Sequence, residues 1–189
     1  MKRRQPMRLK ILTLTLSSVF TIATLSASGA SYDNPNMISV ENASGQALKT
    51  FSTEQLKAEF PQQTYDTRTP WTKENETIVY RGPKLKDVLA KGGISDNPGI
   101  KIVAYDNFVS EIRGDEIEQF EPILAVERKC TDDDRVKSLC SGGQEFRPIN
   151  MLEKGPIFVV WPYDRLPSDY VPARNSIWVF FPVALRSVQ

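Results

Sequence analysis

Residues 1–10 carry five positive charges, Lys2, Arg3, Arg4, Arg8 and Lys10, and no acid. Residues 11–25 follow as an uncharged run of Leu, Ile, Val and Phe diluted by Thr and Ser, and then come the small residues Ser26-Ala27-Ser28-Gly29-Ala30. A positive head, an apolar stretch shorter than the ~20 residues of a membrane span, and a small-residue end form an export signal that a peptidase removes. Cleavage is expected after Ala30; an uncleaved anchor is the alternative reading of the same stretch. Arg3-Arg4 also raises the twin-arginine route, but Gln5-Pro6-Met7 stands where that signal has apolar residues, so passage as an unfolded chain is favoured. The sequence therefore divides into a signal at 1–30 and one domain at 31–189, enough chain for a single core.

Export fixes what the rest can be. Five of the 24 basic residues lie in the signal, which leaves 19 against 23 acidic residues and a net charge of −4. Without a basic stripe, nucleic acid is not expected as a partner. The chain has no histidine, which removes Ser-His-Asp and Cys-His catalysis and every His-ligated metal. Its two cysteines, Cys130 and Cys140, cannot make a four-cysteine metal site, and in an oxidising compartment they are expected to pair. A bridge across so short a charged loop contributes about 2–3 kcal/mol. A redox role is the other reading of the pair, against which the spacing is not Cys-x-x-Cys. Asp132-Asp133-Asp134 lacks the spaced oxygens and terminal glutamate of a calcium loop and is expected to be a solvated charge run. Asn42-Ala43-Ser44 and Asn75-Glu76-Thr77 match the glycosylation triplet, which matters only in a eukaryotic secretory pathway.

The local pattern predicts strands over 37–40, 47–51, 63–68, 77–80, 100–105, 123–126, 157–161 and 177–183. Ser52-Thr53-Glu54-Gln55 is a capping-box start for a helix that Pro61 stops, and residues 84–91 form an amphipathic helix closed by Gly92-Gly93. Strands outnumber short helices, so the class is α+β, a mixed β-sheet with small packed helices.

Four segments occur in a telling order: Thr69-Pro70-Trp71-Thr72; Tyr80-Arg81-Gly82-Pro83 leading into Lys84-Leu85-Lys86-Asp87-Val88-Leu89; Ala104-Tyr105-Asp106-Asn107-Phe108 with Ile112 and Asp115; and 154–164, Lys-Gly-Pro-Ile-Phe-Val-Val-Trp-Pro-Tyr-Asp. Together they resemble the oxidoreductase molybdopterin-binding domain, the fold of sulfite oxidase, over residues 36–187. The resemblance is closest to its small stand-alone exported members. Catalytic members hold molybdenum through a cysteine thiolate ahead of the Gly-x-x-Leu helix, but residues 67–73 here contain none. What the resemblance then implies is a non-catalytic periplasmic protein that binds a pterin, needs no metal, and reports occupancy to an inner-membrane protein that makes or degrades cyclic di-GMP. The alternative is an exported molybdopterin-dependent oxidoreductase with an atypical metal ligand; a third is an interaction module with an empty pocket. A net charge of −4 disfavours anionic lipid as the contact, which leaves the ectodomain of the membrane protein.

A pterin is a flat heteroaromatic ring with a donor-rich edge, which calls for an aromatic face and a carboxylate or amide. Trp71 offers the face, Asp106 and Asn107 the edge, Arg68 and Arg81 flank the region, and Tyr105 or Tyr163 closes it. Each has a plainer role: Trp71 covering a sheet edge, Asp106-Asn107 forming a strand-end turn, and the arginines being solvated or paired with Asp66, Glu74 or Glu76 at the surface. Trp161 and Trp178, inside apolar runs, are expected to pack in the core.

Overall fold

Among the described residues eleven strands form three sheets, of which the five-stranded one is mixed. The computed structural model describes residues 32–96 and 98–188, so the signal and its cleavage position lie outside the described residues. β1 (Met37–Glu41) and β2 (Ala47–Ser52) form a hairpin; β5 (Gly99–Ala104) and β6 (Val109–Arg113) form another. β11 (Pro182–Ser187) joins them, parallel to β1 with Ser39 opposite Ala184 and antiparallel to β5, giving the order β2-β1-β11-β5-β6. A second, antiparallel sheet has the order β3 (Gln62–Thr67), β4 (Ile78–Pro83), β8 (Glu127–Lys129), β9 (Phe146–Pro148). Between them β7 (Ile123–Ala125) pairs with β10 (Phe158–Val160), and all six of these residues are buried. The architecture is α+β with mixed sheets and short helices.

Local chemistry explains the helices. α1 (Thr53–Ala58) starts at Ser52 with both bonds of the capping box in place, Gln55 N–H to the Ser52 hydroxyl and Ser52 N–H to the Gln55 side chain. α2 (Leu85–Gly92) buries Leu85, Val88 and Leu89 and stops at Gly93, whose φ of 100° is open to glycine. Gly82 is required for a different reason: a Cβ there would lie 2.0 Å from the Leu124 carbonyl oxygen, where β4 passes β7. Trp161 and Trp178 are both buried in the core. Among the described residues no helix is long and apolar enough to cross a membrane.

Two sequence expectations need correction, and two elements lie where the local pattern predicts none. The strand expected over 177–183 is two pieces. Val179 and Phe180 run beside β10, with Phe180 bridged to Phe158, but Phe181 turns at φ 52° and Pro182 opens β11 in the other sheet. β6 and α3 (Gly114–Phe120) went unread because Ser110, not an apolar residue, faces inward on β6. The Asp132-Asp133-Asp134 run is not wholly solvated. It is the first turn of α4 (Asp132–Val136), capped by Thr131, and Asp134 is 2% exposed. Its Oδ1 accepts from Arg147 at 2.7 Å and from Arg128 at 2.8 Å, and both arginines also bond Glu153. The Cys130–Cys140 disulfide closes the same loop, with Cα atoms 6.2 Å apart.

Candidate functional site

Where β3 leaves its sheet, Thr69 and Thr72 tie off a turn. The Thr69 N–H donates to the Thr72 hydroxyl at 2.9 Å, the two hydroxyls lie 3.0 Å apart, and the Thr72 N–H returns to the Thr69 carbonyl at 3.0 Å. Trp71 is thereby held outward, half exposed, with its ring edge-on to Phe180 at 4.8 Å between centroids. Phe180 continues inward to Phe158 at 5.2 Å, and Phe158 to Trp178 at 6.3 Å. Trp71, Phe180 and Trp178, with Phe108, Asp106, Asn175 and Ser176, line a pocket of about 240 Å³.

Each wall has its own support. At the β5–β6 turn the Asp106 Oδ1 accepts from the Phe108 N–H at 3.1 Å, and Asn107 takes a φ of 68° while its N–H bonds the Ala104 carbonyl. Asn175 begins a 3-10 turn (Asn175–Ile177) behind a latch on α3. The Glu116 carboxylate, 1% exposed, accepts from the Tyr170 hydroxyl at 2.8 Å and from Arg174 at 3.0 Å. Burial first, then the Glu116 carboxylate, pushes the Tyr170 hydroxyl above its ordinary pKa, so it stays a donor.

The polar accounting of this region does not close. Among the described residues five buried side-chain polar atoms have no hydrogen-bond partner, and three are Trp178 Nε1, Asn175 Oδ1 and Ser110 Oγ. The first two belong to pocket residues; the third is on β6, against which the 3-10 turn of Asn175 packs. Trp161 shows the usual outcome, its indole N–H donating to the Ile177 carbonyl at 2.9 Å. A buried donor and a buried acceptor left unpaired cost about 1–3 kcal/mol each.

The structure distributes the sequence-nominated residues over three places. Trp71 and Asp106 share the pocket, and Tyr105 and Asn107 stand beside Asp106 on the same exposed turn without lining it. Arg68 and Tyr163 form an adjoining groove, the guanidinium 4.3 Å above the tyrosine ring and 3.5 Å from Asp164. Tyr163 lies 6.2 Å from Trp178, so the two depressions are neighbours. Arg81 is elsewhere. It pairs with Glu127 at 2.6 Å on the adjacent strand and stacks on Phe146, a partner set different from the Asp66, Glu74 or Glu76 expected. Asn175, Trp178, Phe108 and Phe180 were missed as site residues. Trp178 gave only a core signal, which its burial satisfies, and the unpaired edge of a buried indole leaves no trace in sequence.

A molybdenum centre of the kind held by catalytic members of the resembled family does not fit these residues. Its thiolate has no source, because the chain's two cysteines are joined to each other in the β8–β9 connection. The pocket does bring an aromatic face, Trp71, and a carboxylate, Asp106, together.

The chain is similar to the crystal structure of the sulfane dehydrogenase SoxCD from Paracoccus pantotrophus, with a TM-score of 0.48 and 16% sequence identity. The match covers 85% of this chain and 40% of that one, so the chain spans well under half the length of the protein it matches. No family model matches the chain, and no curated protein does.

Proposed function

We propose that this chain is an exported, non-catalytic pterin-binding protein of the periplasm whose ligand occupancy is read by the ectodomain of an inner-membrane cyclic di-GMP synthase or phosphodiesterase. One observation carries the ligand: an outward tryptophan beside a small pocket lined by Asp106 and by Trp178 and Asn175, each of which has a buried polar atom without a hydrogen-bond partner. At about 240 Å³ the pocket is below the ~300–1,000 Å³ of sites for larger ligands, which suits one flat bicyclic head with any tail left outside. A pterin's ring nitrogen and carbonyl accept from Trp178 Nε1, while its amino edge donates to Asn175 Oδ1 or Asp106. The export signal and the sequence resemblance support the location and the membrane partner. The disulfide-bound cysteines weigh against the oxidoreductase reading.

The test is titration of the mature protein with oxidised and reduced pterins, followed by tryptophan fluorescence and calorimetry; absence of binding to every pterin would refute the reading. Asn175→Ala is expected to weaken pterin binding about tenfold, the loss of one buried hydrogen bond at about 1.4 kcal/mol. Its urea midpoint is expected to stay level or rise, since the free protein loses an unpaired acceptor. A variant destabilised by more than about 1 kcal/mol would mean that Asn175 is a packing residue instead. For the partner, mature protein is used as bait on native membranes with and without reduced pterin. A membrane protein recovered with a pterin-dependent yield is expected, with a coupling of about 1–3 kcal/mol; none recovered, or one indifferent to pterin, would overturn that half of the proposal.

A further inference from the structure

The Lys154 ammonium stands over the outer rings of the pocket, 5.7 Å from the Trp71 centroid and 5.5 Å from that of Phe180. Nearby cations have carboxylate partners: Arg68 has Asp164, Lys73 has Glu76 and Arg174 has Glu116. Among the described residues Lys154 forms no ion pair, and its charge rests on aromatic faces alone. Such contacts are weaker than a charge-assisted bond to an anion.

Its backbone is unusual in the same direction. Lys154 takes a φ of 72° at the end of the 3-10 turn Met151–Glu153, a left-handed conformation that favours glycine. The turn is also fixed on both sides. Glu153 is clamped by Arg147 and Arg128, the Asn150 side chain caps the Glu153 N–H, and the Gly155 N–H bonds the Asn150 carbonyl at 2.9 Å. A rigid, conformationally costly position therefore presents one unpaired ammonium at the mouth of an aromatic pocket.

We infer that Lys154 is a specificity residue and that the ligand is a pterin bearing an anionic substituent, a carboxylate or phosphate, which leaves the pocket toward this ammonium. The inference rests on the pterin reading above and narrows it to a class. The head group stacks on Trp71 and satisfies Trp178 and Asn175, while the substituent, for which the pocket has no room, meets Lys154 at the rim.

Three probes decide it: hydroxymethylpterin, which is uncharged, carboxypterin, and hydroxymethylpterin monophosphate. The wild-type protein is expected to bind at least one of the anionic probes about tenfold more tightly than the alcohol, an advantage of about 1.4 kcal/mol that shrinks with added salt. Which anion gains more identifies the substituent. Lys154→Met is expected to abolish the advantage while leaving hydroxymethylpterin affinity within about twofold, and Lys154→Arg to retain it. If neither anion outbinds the alcohol, or if Lys154→Met keeps the advantage, the inference fails while the pterin site stands. If none of the three probes binds in either its oxidised or its reduced form, the pterin reading fails and the inference falls with it.

Discussion

Arg147→Met is expected to destabilise the domain by about 3 kcal/mol, at the low end of the ~3–5 kcal/mol for breaking a buried ionic cluster. Arg147 is 4% exposed and bonds both Asp134 and Glu153, so its loss takes from each carboxylate one of its two arginine partners. The cost stays at the low end because Arg128 keeps a bond to each, at 2.8 Å. A domain of this size should lose roughly 6–12 °C of melting temperature, by the ~2–4 °C per kcal/mol usual at this length. Urea melts of the two proteins with the disulfide intact check it, and a loss below about 1 kcal/mol would mean that Arg128 alone satisfies the cluster.

The same cluster makes stability pH-dependent with a definite sign. Burial by itself would raise the Asp134 carboxyl. Bonds from Arg147, from the Thr131 backbone and hydroxyl, and the Arg128 charge outweigh it and hold the group well below the usual range. Glu153 is lowered in the same way, burial opposing and Arg147 then Arg128 prevailing. Unfolded carboxyls titrate near 4, so the cluster's contribution is complete above that pH and is lost as pH falls through it toward the depressed folded values. Melting temperature should therefore decline on acidification below about pH 5, and Arg147→Met should flatten that decline. An equally steep acid limb in the variant would place the linkage on other carboxylates.

What could be read from sequence was whatever a few adjacent residues decide. Ser52 and Gln55 cap α1 within one turn, and Gly93 ends α2 by its own φ, so both helices stood out. Asp134 differs from Asp132 and Asp133 through the local capping bonds of Thr131 and through Arg147 and Arg128, and the two arginines are delivered by the β8–β9 pairing. Phe181 looks like the middle of a strand, and its turn exists only because the chain passes from β10's side to the larger sheet. The site divides the same way. Trp71 and Asp106 lie in loops beside strand ends and were legible as exposed chemistry. Asn175 and Trp178 matter through partners they lack, and Lys154 through rings that folding brings under it. Arg81 was misassigned because a neighbouring strand, not a neighbouring residue, supplies Glu127.

Trp71→Ala is expected to lower pterin affinity by roughly 5- to 150-fold, the range for a stacked aromatic contact worth about 1–3 kcal/mol. Trp71 is 47% exposed and its turn is held by Thr69 and Thr72, not by the indole, so the fold should survive. The upper half of the range is the expectation, because the indole is the outer wall of the pocket and also carries the Lys154 ammonium. Its removal frees Lys154 from one ring and strips the ligand of its main apolar face together. Fluorescence separates this from a distant effect. Trp161 and Trp178 are buried and remain, so quenching by pterin should lose the share owed to a solvent-facing indole and keep the share from Trp178. Calorimetry gives affinity independently of the lost fluorophore. If Trp71→Ala binds pterin as tightly as the wild type, the ring does not stack on this face, and the adjoining groove of Arg68 and Tyr163 becomes the place to look.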